Sequence, residues 1–211
     1  LSKNGRTMAI TKIRVWEQGV KALVHVALRY PHTAYAAFVF SLQAEWQHLC
    51  RLCPSAETHL APVEEAIRLS LIPAIVGLEE PVDDNFQCLL AHGVKQGGLA
   101  IRNPCKAAPI LYQTLKAATE ILVTSLLNGE SLDSQEHCLC IRAASKSAQE
   151  SCIEQEESFC LTLGQQIPKI KKHLGQMDET GAWLSIMPSW FDRTQLTLEE
   201  WHNNIALRFG R

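Results

Sequence analysis

The sequence predicts a mainly α-helical protein, with long antiparallel helices packed as a bundle and interrupted by two irregular corners. Three observations carry this expectation. Apolar residues recur every three or four positions over most of the 211 residues. Prolines and glycines fall between those runs more often than within them. Period-two alternation is confined to a scrap around Leu99-Ala100-Ile101. A chain of this length, 46% hydrophobic, can bury a real core.

Each element has a local reason. From Arg14 to Arg29, Val15, Gly19, Leu23 and Val26-Ala27 return with helical spacing. Pro31 ends that run and suits the first turn of the next helix. There Tyr35, Val39, Leu42, Trp46 and Leu49 form an apolar stripe, which Pro54 closes. A third helix is expected to open near Pro62, with Glu64 and Glu65 at its positive end. Pro73 should kink or split it, and Gly77 should cap it. Asp83 or Asp84 caps a short helix that Gly93 ends. The stretch "GVKQGGLAIRNP", Gly93 to Pro104, then makes a glycine turn and a scrap of strand. Leu111, Leu115, Ala118, Leu122 and Leu126 mark a long helix stopped by Asn128-Gly129. Asp133 and Glu136 have capping-box spacing at the start of another, polar through "QESCIEQEES" and broken by Gly164 and Pro168. "GAWLSIMP" is expected to be a short extended piece. "TLEEWHNNIALRFG" is a helix with Thr197 and Glu200 as capping box and Gly210 past its end. The chain divides at the corner into residues 1–104 and 105–211.

Composition narrows the function classes. Twenty Lys and Arg face 22 Asp and Glu, a balance without the basic excess of an autonomous nucleic-acid binder. The charged opening "LSKNGRTMAI" lacks the apolar core of a secretory signal. The longest apolar run, "ILVTSLL", is too short to span a bilayer, so no membrane is expected. The first methionine is Met8, and the chain reads as a piece of something longer. Of eight cysteines, Cys50 and Cys53 form C-x-x-C and Cys138 and Cys140 form C-x-C. Neither has the second pair or paired histidines that zinc requires, so they read as reduced, small apolar fillers.

No catalytic constellation is expected. Gly97-Gly98 lacks the spacing of a phosphate loop and follows a helix rather than a strand. These glycines read as structural, supplying φ > 0 while Leu99 and Ile101 turn into the core. "VDD", Val82 to Asp84, is a helix cap rather than a metal-binding pair. Glu154, Glu156 and Glu157 read as a solvated helix face. His25, His48 and His92 are isolated. Neither G-x-S-x-G nor H-E-x-x-H occurs. The best candidates for phosphate contact are Lys169, Lys171 and Lys172, beside His173.

The corner resembles the GGLGI-type segment found just after the polymerase core in non-LTR (LINE-type) retrotransposon reverse transcriptases. "PHTAYAAFVFSLQAEWQHLCR" and "APVEEAIRLSLIPAIVG" are similar to the helical region that precedes it. "GAWLSIMP" with "LTLEEWHNNIALRFG" resembles the closing "WL-LP … LRYG" segment of the same polyproteins. Together these cover most of residues 15 to 210, most weakly from Ser131 to Gln176. Ala100 stands where the family has the last glycine of GGLG, and His92-Gly93 where it has Leu-Pro. The resemblance implies a non-catalytic thumb or connection region that helps hold an RNA template and a DNA primer inside an intracellular, cytoplasmic and nuclear polyprotein. Nucleic-acid contact would fall to Lys95, Arg102, Lys169, Lys171 and Lys172, with Gly97, Gly98, Trp183 and Trp201 structural. The palm aspartates and their magnesium would belong to the parent polymerase, leaving no cofactor in this chain. The alternative is a stand-alone helical module whose partner is a protein.

Overall fold

The computed structural model describes residues 3–166 and 181–210. It is mainly helical, and no strand occurs among the described residues. Helix α1 (Lys3–Ala27) is followed by α2 (Pro31–Ala37), which widens through a π-helical turn at Phe38–Leu42 into α3 (Gln43–Leu52). Next come α4 (Ala56–Ala66), a second π-helical turn at Ile67–Leu71, and α5 (Ile72–Val76). Helix α6 (Asp84–Ala91) leads into the corner. Beyond it lie α7 (Pro104–Ala118), α8 (Glu120–Asn128), α9 (Ser134–Gln166) and α10 (Leu198–Phe209).

Local chemistry explains most of the boundaries. The Asp83 carboxylate accepts from the Phe86 amide at 2.7 Å, so the first aspartate of "VDD" caps α6. Asp84, the next residue, lies 3.9 Å from the Arg68 guanidinium. The reciprocal Thr197–Glu200 box opens α10, and Gly77, Gly129 and Gly210 end their helices in the left-handed conformation.

Four expectations need correction. Helix α4 begins at Ala56, so Pro62 lies inside it rather than near its start. It is tolerated there because it sits on the exposed face, where water can replace the missing amide. The long helix expected from Leu111 to Leu126 breaks at Thr119, whose hydroxyl bonds back to Leu115 O at 2.9 Å and competes with the helical ladder. "GAWLSIMP" is not simply extended: Ala182–Ser185 form a 3₁₀ turn that buries Leu184. Finally, Leu99 to Ile101 find no partner strand. Their amides return to the end of α6, with Leu99 N and Ile101 N on Leu90 O at 3.0 and 3.1 Å and Ala100 N on His92 O at 2.8 Å. Carbonyls that α6 would leave unpaired are satisfied in this way.

The core takes residues from both sides of position 104. Trp16, Tyr35, Phe38, Leu60, Ile72 and Ile75 pack in one cluster with Leu99, Ile101 and, from the C-terminal helix, Trp201 and Ile205. Trp201 is fully buried, donates to Ile75 O at 2.8 Å, and meets His32, Tyr35 and Trp183 with ring centroids 5.1–5.2 Å away. The thiols of Cys50 and Cys53 are buried in the same cluster. Burial pushes the Cys50 thiol up to about 11, which keeps it protonated and unreactive at neutral pH.

His32 links this core to the C-terminal segment. Leu196 N donates to His32 Nδ1 at 3.3 Å, so the ring proton sits on Nε2 and is donated to Ile186 O at 3.1 Å. Burial lowers the His32 pKa below its ordinary value of 6.5, and His92 is lowered for the same reason. A depressed histidine contributes stability that is complete above 6.5 and is lost as pH falls through that value toward the lower folded pKa. Urea midpoints should therefore drop between pH 7.5 and pH 5.5, with a smaller drop in His32→Gln. An equal drop in the variant would exclude His32 as a source.

Candidate functional site: the glycine corner and its cleft

The corner is a tight backbone turn gripped by buried polar side chains. Val94–Gln96 make a 3₁₀ turn, and Gly97 follows at φ +90°. Gly98 is a glycine for a different reason than the expected positive φ. A Cβ on it would run into the backbone carbonyls of His92 and Leu89. Ala100 takes φ +54°, a left-handed conformation that costs a residue with a Cβ roughly 1–2 kcal/mol. Ala100→Gly relieves that strain but frees the unfolded chain, so a net gain of about 0.5–1 kcal/mol is expected. A chemical melt of the variant checks it, and a loss of stability would contradict the strain argument.

Three distant side chains hold this backbone. Tyr35 Oη donates to Leu99 O at 3.0 Å. Gln43, placed immediately after the first π-helical turn, donates to Ala100 O at 3.0 Å and accepts from Arg102 N at 3.3 Å. Arg208 of α10 donates through Nη2 to Val94 O at 2.6 Å and Gly98 O at 3.2 Å. Arg208 is 6% exposed, and its Nε and Nη1 are buried without hydrogen-bond partners among the described residues. Burial raises the Tyr35 pKa, partly offset by the Arg208 charge, so the phenol stays a neutral donor. Sequence reasoning missed Gln43 and Arg208. The available signal was a polar residue interrupting an otherwise apolar face.

A cleft of about 510 Å³ opens beside the corner, walled by α3, α6, α7 and α9. Arg102 and Lys106 line it. Asn103 caps α7 by accepting from Lys106 N at 3.0 Å, and its amide donates to Glu64 at 2.8 Å. Gln87 donates to the same Glu64 oxygen, and burial raises that carboxyl's pKa. Lys106 Nζ lies 3.0 Å from Cys88 Sγ. Glu156 is not simply solvated as expected. It lies half-buried in the cleft wall, where burial raises its pKa and the Arg102 charge works against the shift.

The candidate contacts are therefore separated. Arg102 faces the cleft, whereas Lys95 is exposed on the 3₁₀ turn and is not a lining residue. Lys169, Lys171 and Lys172 lie outside the described residues. Trp201 is central to the core, and Trp183 is half-buried against its ring. Among the described residues, no group of three or more His, Cys, Asp or Glu side chains could hold a metal ion. No described helix is long and apolar enough to cross a membrane.

No family model matches the chain, and neither a curated protein nor a solved structure proved similar to it.

Proposed function

We propose that the chain is a non-catalytic thumb or connection region of a non-LTR retrotransposon reverse transcriptase, helping to hold RNA template and DNA primer by their backbones. One observation supports this reading above the others. The backbone at positions 97, 98 and 100 makes three separate demands, positive φ, no room for a Cβ, and positive φ again, which a G-G-x-G motif answers. Those are the glycine positions of the family segment that the corner resembles, and the alanine at 100 sits where backbone strain rather than a backbone clash opposes a Cβ. The exposed cations Lys95 and Arg102 flank this rigid turn, with Lys169, Lys171 and Lys172 as further contacts. Chemistry, with its paired aspartates and magnesium, belongs on this reading to a palm elsewhere in the polyprotein.

Titration of an RNA–DNA hybrid at low salt tests the proposal. Few clustered cations against a net charge of -2 predict weak binding, of order 10–100 μM, with a salt slope set by about two to four phosphates. Charge reversal at Lys169, Lys171 and Lys172 should abolish it, and reversal at Lys3 and Lys12 should not. A folded protein that ignores the hybrid sinks the thumb reading.

A second reading, a helical protein-interaction module, draws on one feature. Trp190 and Phe191 are 88% and 93% exposed on a turn braced by Thr194 Oγ1 on Met187 O at 2.8 Å and by Thr194 N on Ser189 O at 3.0 Å. Two large rings held outward in a rigid turn suit an apolar partner surface.

A further inference from the structure

The cleft beside Arg102 has the chemistry of a small-ligand site. Its volume of about 510 Å³ falls in the range of ~300–1,000 Å³ usual for such sites. The walls are apolar and partly aromatic, with Trp46 on α3, Ile110 and Leu111 on α7, and Phe159 on α9. Phe159 is fixed edge-on to the His92 ring at 5.3 Å. Apolar walls of this kind disfavour a bare phosphate or a sugar, which would lose hydration for nothing in return. At the rim, Arg102 and Lys106 face the single carboxylate of Glu156, so the charge there favours an anion.

Three side-chain amides decide between anions. Gln47, Gln149 and Gln155 line the cleft and have no hydrogen-bond partner among the described residues. An amide offers a donor and an acceptor together. Gln149 and Gln155 are exposed and would stay hydrated beside a fatty acid, which would engage none of the three. A nucleobase presents the matching donor and acceptor edge and a flat face for the aromatic wall. We propose that this cleft binds a single nucleotide, its base between the apolar walls and its phosphate on Arg102 and Lys106. The nucleotide has two possible sources: an unpaired residue of a strand, or a free mononucleotide. The first rests on the thumb reading above, and the second does not.

The test uses the full chain with three probes: a blunt RNA–DNA hybrid, the same hybrid carrying one unpaired nucleotide, and adenosine or uridine monophosphate. The unpaired nucleotide should tighten binding about fivefold or more, the low end of base stacking on an aromatic wall. Ala107→Trp, which fills the cleft from α7, should erase that gain. The paired substitution Arg102→Ala and Lys106→Ala should weaken it about tenfold, as loss of charge-assisted phosphate contacts would. Both of those side chains are exposed, so this variant stays informative if Ala107→Trp does not fold. Isothermal titration that shows mononucleotide binding lost in these variants, with no hybrid binding, supports the cleft and overturns the thumb. Hybrid binding with no gain from the unpaired nucleotide and no mononucleotide binding overturns the cleft and leaves the thumb standing. Nucleotide effects that survive both variants place the site elsewhere and also overturn the proposal.

Discussion

Gly98→Val is expected to lower stability by at least about 3 kcal/mol, roughly 6–12 °C in melting temperature for a chain of this size. The reason is geometric. The new Cβ points at two backbone carbonyls, His92 O and Leu89 O, and neither can rotate away as a side chain could. The turn cannot swing clear either, because Gly98 N is bonded to Gly93 O at 3.1 Å and Gly98 O receives Arg208. Gly97 makes the useful comparison. Its φ of +90° penalises Gly97→Ala through backbone strain, about 1–2 kcal/mol. Urea unfolding of both variants beside wild type separates the two mechanisms. Equal losses would mean that the close approach at Gly98 is relieved more easily than the backbone permits.

That difference between two adjacent glycines shows where sequence reasoning reaches and where it stops. Local signals were legible because their partners lie within one turn. Asp83 reaches Phe86, Asp133 caps Gln135 and Glu136 at 2.9 and 3.0 Å, and Thr197 pairs with Glu200. Apolar spacing likewise gave the helices and the inward-facing Leu99 and Ile101. The grip on the corner was not legible in the same way. Tyr35 stands 64 positions from Leu99, and Arg208 stands 110 from Gly98. No periodicity encodes such pairings, since they arise only once α2 and α10 have packed on either side of the turn. The cleft is harder still, because its walls come from four helices: the resemblance pointed to Arg102, but nothing local in the sequence places Lys106 and Glu156 beside it. Thr119 is the converse case, a hydroxyl that breaks a helix with neither proline nor glycine to announce it.

Trp201→Ala should cost about 3–5 kcal/mol, a large fraction of the stability of an ordinary domain. Removing the ring empties a fully buried site and leaves Ile75 O without its donor. It also removes the ring that His32 stacks on and that Tyr35 and Trp183 meet at an angle. Trp201→Phe keeps most of the volume and forfeits mainly the N–H bond, so about 1–2 kcal/mol is expected. The two variants differ in a second respect. Helix α10 carries Arg208, and it is Trp201 that fastens this helix to α2 and α5. With the anchor gone, Arg208 loses its hold on Val94 and Gly98, and the corner should open ahead of the rest of the core. Amide exchange at Leu99 and Ile101 should then accelerate in Trp201→Ala by more than the global loss accounts for, while in Trp201→Phe it tracks the global loss. Exchange that follows global stability in both variants would show that the corner holds without α10, and that Tyr35 and Gln43 suffice to fix it.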